Sequence, residues 1–593
     1  MNNIKERLEA LRQVMRREKL SAFIFPSTDP HHGEYVPDHW KSREWISGFN
    51  GSAGTAVVTL DKAALWTDSR YFIAAIEQLA GTGFELMKER VPGTPTISEW
   101  LGKVLREVKS PEVGIDGMVS SAADVQALMA ELRHEGGITL RTNFDPLTTI
   151  WNNRPVISKD KVFLQPLGLA GESCREKLGR IRQQLRKQHA DGMLVTSLDD
   201  IAWTLNMRGS DVHCNPVFVA YLLISTTKAT LFIDPDKLTD DLRAYLRVEG
   251  VETDHYGMVE KGLKDYFEYN ILLDANEVNY TLFKTIGREV VSGESPVKRM
   301  KTVKNESEIK GFRQAMLKDG IAMAKFLKWL KPAVEKGGQT EITVTDKLES
   351  LRAQQPLFRG TSFDTIAGYQ AHGAIVHYEA TPATDAPLKP EGFLLLDSGA
   401  QYQDGTTDIT RTIALGRLTD EQRHIYTLVL KGHIQLSMLK FPAGASGTQL
   451  DVMARKDMWR EGLNYLHGTG HGVGAFLNVH EGPHQIRMEY KPMPLAAGMT
   501  VTNEPGIYLE GKFGVRIENT LLMMPYKQTA FGEFLQFDPL TLCPIDKEPI
   551  DRNMMTAEEV AWLNDYHRRV YEMLAPHLDE EEQAWLEEAC AAL

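Results

Sequence analysis

Apolar positions near the N-terminus repeat with a helical period. Ile4, Leu8, Leu11 and Met15 are spaced four, three and four apart, which predicts an amphipathic surface helix. That helix runs into a short apolar strand, and the same order returns further on. "LRQVMRREKLSAFIFPS" (11–27) aligns without gaps to "IRQQLRKQHADGMLVTS" (181–197). Arg12, Gln13, Arg16 and Ser27 match Arg182, Gln183, Arg186 and Ser197. β-rich runs follow in both halves: "GTAVVTL" and "AALWTD" in one, "AYLLIS" and "ATLFID" in the other. The pattern predicts two related α/β domains, 1–160 and 161–300.

"SPVKRMKTVKNESEIKGF" (295–312) is polar and basic and reads as a linker. A long helix is expected from about Ser307 to about Trp329. Strands and Gly-rich turns then alternate to about residue 525. "TAEEVAWLNDYHRRVYEMLAPHL" closes the third region, 301–593, with a helical tail. Thr556 and Glu559 form a capping box there, and Val560, Leu563, Val570 and Leu574 form its apolar stripe.

Composition narrows the function classes. The chain has 593 residues, 42% of them hydrophobic and 25% charged, which is ordinary for a globular protein of several domains. Its formal charge of −13 gives no support for nucleic-acid binding, which needs a basic face. No run of about 18 apolar residues predicts a membrane span, and the charged N-terminus does not read as a signal peptide. Cys174, Cys214, Cys543 and Cys590 are scattered without C-x-x-C spacing, so a reduced, cytoplasmic setting is expected. A catalytic metal would then be held by His and carboxylate ligands.

Acidic residues in strand-forming text point to such a site. In "FLLLDSGAQYQDGTTDITRTIALG" (393–416), Asp397 and Asp408 lie symmetrically about a turn between Tyr402 and Gln403. A hairpin folded there sets them opposite each other. In "TVTNEPGIYLEGKFGVRIENTLLM" (500–523), Glu504 and Glu518 lie symmetrically about Gly511. Opposed like charges repel unless a cation lies between them. Between the hairpins lies "HGTGHGVG" (467–474), whose glycines exclude a zinc-binding helix and predict a tight turn and strand edge. Singly, His467, His471, His480 in "NVHEGP" and His377 at the end of the apolar "GAIV" each read as ordinary turn or surface histidines. "HHGEY" (31–35) lacks a third ligand nearby and reads as a loop at a domain or subunit contact.

Taken in order, Asp397, Asp408, His471, Glu504 and Glu518 resemble the five-ligand dimetal site of the pita-bread metallopeptidases. "LLLDSGAQYQDGTTDITRT", "YLHGTGHGVGAFLNVHEGPH" and "TNEPGIYLEGKFGVRIENT" are most similar to the long, three-domain Xaa-Pro aminopeptidases, as are "REWISGFNGSAGTAVVT", "LDDIAWTLNMRGSDVHCNPVF" and "FDPLTLCPIDKEPID". The resemblance spans essentially the whole chain. It implies an α/β (α+β) fold, with two creatinase-like N-terminal domains before a pita-bread catalytic domain.

The resemblance also implies roles. Asp397 would bind one metal, His471 and Glu504 the second, and Asp408 and Glu518 would bridge both. Glu504 would shuttle a proton, His480 would stabilise the oxyanion, and His377, His467 and His480 would line the substrate site. The implied reaction releases the N-terminal residue from peptides with proline second, using a hydroxide shared by two divalent ions. Oxygen-rich ligation with one imidazole suits Mn²⁺, with Co²⁺ or Zn²⁺ as alternatives. A homodimer is expected from the same resemblance. The nearest alternative is a prolidase acting on Xaa-Pro dipeptides; further off is a non-enzymatic pita-bread binding protein.

Overall fold

The two stretches that share a helix-to-strand order fold into two sheets of one topology. The computed structural model describes residues 3–593. The first sheet uses strands Ala22–Pro26, Thr55–Thr59, Ala63–Thr67, Glu85–Lys88, Glu112–Ile115 and Thr139–Arg141. The second uses Gly192–Val195, Ala220–Ser225, Ala229–Ile233, Glu252–Asp254, Asn270–Leu273 and Glu289–Ser292. Numbered within each sheet, both run 4-3-2-1-5-6. Strands 1, 2 and 3 pair antiparallel, and the outer pairings are parallel in both sheets. The helices entering them are Ile4–Glu18, which buries Leu8, Leu11 and Met15, and Cys174–Lys187, which buries Leu178, Ile181 and Leu185.

Both sheets belong to the first of two compact units, which comprises 1–164, 172–213 and 217–297. His31 of "HHGEY" is buried between them. Its Nδ1 bonds the Thr196 carbonyl at 2.9 Å and its Nε2 bonds the Tyr256 hydroxyl at 2.9 Å. The segment is therefore a contact between the two halves.

The second unit comprises 165–171, 214–216 and 298–593. Three expectations are corrected from residue 296 onward. The supposed linker contains a helix, Pro296–Thr302, and buries Lys301, Thr302 and Lys304. The long helix runs Glu306–Lys336, beyond Trp329, because Leu330 is buried before Pro332 and Ala333 and Val334 are buried after it; Gly337 ends it with φ of 81°. The region read as strands and turns also carries helices Glu341–Arg352, Asp420–Ser437 and Gly447–Arg460. Their buried faces are wide or their apolar residues sparse, so no clean 3.6-residue stripe marks them.

These helices sandwich the strands that matter. Phe393–Ser398 alternates its faces. Leu394 and Leu396 pack with Phe326, Leu330 and Leu348. Leu395, and two residues on Asp397, take the other face. Phe393, Val515 and Ile517 form a separate core with Tyr426, Val429, Leu563 and Val570. The expected tail helix is present as Ala557–Leu574, with Thr556 and Glu559 in a reciprocal capping box.

Candidate metal centre

The hairpin register sets the acidic residues. Thr500–Asn503 pairs with Asn519–Thr529 so that Asn503 faces Asn519. Gly506–Leu509 pairs with Phe513–Arg516 so that Gly506 faces Arg516. Both ladders share one register centred on Gly511, whose φ of 72° suits a glycine at the tip. Glu504 and Glu518 therefore oppose each other in the gap between the ladders.

The first hairpin departs from its expected register. Asp397 faces Thr410, and Gln401 faces Thr406, so the centre lies between Gln403 and Asp404. Asp397 and Asp408 are diagonal neighbours instead of direct partners. The tip is fixed by packing: Asp404 bonds Lys318 at 2.6 Å, and a side chain on Gly311 would come 2.2 Å from the Asp404 carbonyl. Such a long-range contact has no local sequence signature.

Close approach explains Gly470 and Gly472 of "HGTGHGVG". A Cβ on Gly470 would lie 1.9 Å from the Thr502 carbonyl oxygen, and one on Gly472 would lie 2.2 Å from His484 Cε1. Gly470–Gly472 is a short strand, as expected of a strand edge. The His471 amide donates to Thr502 Oγ1 at 3.1 Å, and its Nδ1 donates to the Gly472 carbonyl at 2.8 Å. Its Nε2 is thereby aimed at Asp408 Oδ2 and Glu504 Oε1, each 3.4 Å away. The Glu504 amide is tied to the Thr469 carbonyl at 2.8 Å.

The five residues converge. Ligand-type atoms of Asp397, Asp408 and Glu518 form one group within 4.8 Å, and those of His471, Glu504 and Glu518 form a second. Glu518 belongs to both, and Asp408 also groups with His471 and His480. Burial, joined by Asp408, Glu504 and Asp397, pushes the Glu518 carboxyl well above its usual range. Burial and the neighbouring Asp408 and Asp397 push Glu504 up to about 7, against the pull of His471 and Arg516. Burial opposes charge on His471, yet Asp408 and Glu504 hold it up to about 9. Burial also raises Asp397, despite Arg516 beside it. Asp397 Oδ1 is buried without a hydrogen-bond partner. Crowded, buried carboxylates with an orphaned oxygen fit a pair of adjoining divalent cations.

The other three histidines singled out from the sequence stand around this cluster. His480 stands edge-on to His471, with ring centroids 4.3 Å apart. His467 donates from Nδ1 to the Gly468 carbonyl and accepts the Tyr508 hydroxyl at Nε2, each at 2.7 Å. His377 follows the short helix Gln370–Ala374 on a turn, not a strand as its apolar lead-in suggested, and is half-buried.

Sequence reasoning missed the polar residues that hold the acids. Arg516 bonds Asp397 Oδ2 at 2.7 Å, the Tyr508 hydroxyl at 2.8 Å and the Val376 carbonyl beside His377 at 3.3 Å. Thr410 donates to Glu518 Oε2 at 2.7 Å. A signal existed: Arg516 ends an apolar strand and Glu518 follows two residues on in the same continuous register, so both point the same way.

Four family models cover nearly all of the chain. The creatinase/prolidase N-terminal domain matches residues 7–148 and again 153–308. Metallopeptidase family M24 matches 310–525, and its C-terminal region matches 533–593. A probable Xaa-Pro aminopeptidase P of Laccaria bicolor is 39% identical, with 100% of this chain and 94% of that protein aligned. Xaa-Pro aminopeptidase 1 of Dictyostelium discoideum is 41% identical over 97% of this chain and 94% of that one. The crystal structure of an X-prolyl aminopeptidase from Caenorhabditis elegans, described as a cytosolic enzyme with a di-nuclear active site, superposes with a TM-score of 0.96 at 34% identity, covering 100% of both chains. A Xaa-Pro dipeptidase from Bacillus anthracis matches at 26% identity and a TM-score of 0.51, covering 63% of this chain and 99% of its own. Matched along its whole length by such relatives, the chain belongs to the Xaa-Pro aminopeptidases of metallopeptidase family M24.

Proposed function

We propose that the protein is a two-metal aminopeptidase that removes the N-terminal residue from peptides with proline in second position. The observation that carries this reading is the pair of overlapping ligand groups that share the buried Glu518. Asp397 would hold one ion, His471 and Glu504 the other, and Asp408 and Glu518 both. When bound, two divalent ions supply Lewis acidity and make a water nucleophilic near neutral pH. Manganese suits this oxygen-rich set with one imidazole, ahead of cobalt or zinc.

The remaining steps fall to side chains. Glu504 accepts the proton of the attacking water and delivers it to the proline nitrogen, a tertiary amide that offers no N–H of its own. His480 donates to the carbonyl oxygen as it gains charge. His377 and His467 line the peptide's path, and Tyr508 and Arg516 fix the tilt of His467. The Arg516–Asp397 pair is buried, so it orients one carboxylate without solvent screening.

The organisation 1–160, 161–300 and 301–593 is supported by the family-model limits near 150 and 309. A cytoplasmic setting is supported by the description of the nematode enzyme. A homodimer is supported by exposed Trp459, Leu466 and Met488, of which Trp459 and Met488 both bond Asn464. Sedimentation at micromolar concentration tests it, and Trp459→Glu should yield monomers.

A prolidase reading is weaker, because the matched dipeptidase aligns with only 63% of this chain, whereas the full-length matches are aminopeptidases. Hydrolysis of Xaa-Pro and Xaa-Pro-Pro, with and without chelator, decides between them. Cleavage of the tripeptide that chelation abolishes is expected; activity confined to dipeptides would overturn the assignment.

A further inference from the structure

The loop between His471 and His480 is closed at its base by backbone pairing. Gly472 faces Glu481, and a register shift between His471 and Gly472 lets the chain bulge there. His480 is the last residue of the loop before Glu481. The Glu481 side chain turns inward and pairs with Lys304 Nζ. Both side chains are almost fully buried, at 1% and 0% exposure. Lys304 is itself fixed: Nζ donates to the Lys301 carbonyl at 3.0 Å, and its amide donates to the Gly498 carbonyl at 2.9 Å.

The far side of the loop is held by a second clamp. Gln401 Nε2 donates to the Leu477 carbonyl at 2.8 Å, and Thr406 Oγ1 lies 3.3 Å from both the Leu477 amide and its carbonyl. Gln401 and Thr406 are cross-strand partners on the hairpin that carries Asp397 and Asp408. The loop folds on itself around Leu477, where the Gly474 amide bonds the Asn478 carbonyl at 3.0 Å. His480 thus stands between two buried fixings, one from each direction.

We infer that Lys304 and Glu481 are positioning residues for His480, with Gln401 as their counterpart on the hairpin. A buried ion pair is weak as a source of stability, because desolvation offsets its attraction. Its value here is geometric: it sets where the loop re-enters the sheet, and hence where the His480 imidazole stands. The inference rests on the proposed role of His480 toward substrate. Displacing such a group by about 1 Å costs up to about a hundredfold in rate.

The test is Lys304→Met with Glu481→Met in one chain, which removes both charges and keeps an apolar fill. On an Xaa-Pro-Pro substrate, kcat is expected to fall about tenfold or more with KM within about twofold, since His480 acts on charge that develops only in the transition state. The same pair of changes in a His480→Ala background is expected to add no further loss. In metal-free protein, hydrogen exchange should quicken across 473–481 and stay unchanged across 500–509. An unchanged kcat with unchanged exchange overturns the inference, as does an equal fold-loss in the His480→Ala background. His480→Ala alone tests the underlying reading. Full activity there removes the role of His480, whereas an impaired His480→Ala beside an unimpaired clamp variant removes only the clamp. Should the double variant not fold, Gln401→Met carries the same cycle, with the same two results deciding it.

Discussion

His567 offers a prediction that does not pass through the candidate metal centre. It lies on the helix Ala557–Leu574, is fully buried, and its Nε2 accepts the Ile545 amide at 3.0 Å. An acceptor nitrogen carries no proton, so the ring is held neutral. Burial, with Lys547 and Arg411 adding to it, drives its pKa from 6.5 down to about 3. The unfolded chain protonates this histidine as the pH drops through 6.5, while the folded chain does not. Folding stability is therefore lost as pH falls below 6.5, and the loss ends only near the folded value. At pH 5 the unfolded state gains RT ln(1 + 10^1.5), about 2 kcal/mol. That figure depends on the unfolded pKa alone, provided the folded one lies well below 5. Glutamine can place its Oε1 near Nε2 and accept the same amide without titrating. His567→Gln should cost little or up to about 1 kcal/mol at pH 8 and then gain about 2 kcal/mol on the native protein by pH 5. Urea unfolding at pH 8, 7, 6 and 5, followed by hydrogen exchange across this helix, measures the difference. The local readout is needed because a chain of several domains does not unfold in one step. A difference that stays constant with pH, or that moves in favour of the native histidine, refutes the reasoning.

Metal removal should expose the buried charges. Glu504 and His471 both have raised folded-state pKa values, about 7 and about 9, so each binds protons more tightly when folded. The metal-free protein should lose melting temperature as pH rises, through Glu504 between 4.5 and about 7 and through His471 between 6.5 and about 9, a slope that scanning calorimetry should not find after metal is restored. Glu504→Gln should lower kcat about a hundredfold or more, because the proton shuttle is gone; full steady-state turnover would sink that role. Gly470→Ala should displace the strand that bears His471, since its Cβ would meet the Thr502 carbonyl at 1.9 Å, and isothermal titration should show weakened metal binding. Gly511→Ala is the contrasting case: nothing lies within 4 Å of the added Cβ, so only the φ of 72° is strained, at about 1 kcal/mol, with turnover kept.

Much of the molecule is legible from residue spacing. The duplicated sheets announce themselves through a shared helix-to-strand order. The Glu504–Glu518 pairing follows from symmetry about a glycine, because the turn there is exposed and nothing lies within 4 Å of a Cβ on Gly511 to shift its tip. The same symmetry misplaces the Asp397–Asp408 pairing, because that turn is pressed against the helix Glu306–Lys336 and a tertiary contact moves the tip. Arg516 and Lys304 are hidden for a related reason. A lone cation in a strand or linker has no visible partner until the chain folds, and Lys304 meets Glu481 only across 177 residues.

The ladder that ends at Gly511 also makes the surface a listening post for the interior. Glu510, Gly511 and Lys512 are exposed, and Lys512 commits only a solvent-facing ion pair to Glu421. About seven residues of strand separate the tip from Glu504, roughly 20 Å at the usual rise. A spin label at Lys512 would feel a paramagnetic manganese ion among the carboxylates at that fixed range, and would feel nothing from zinc. The hairpin thus gives a spectroscopic way to read which ion the chain holds, without asking the protein to turn over at all.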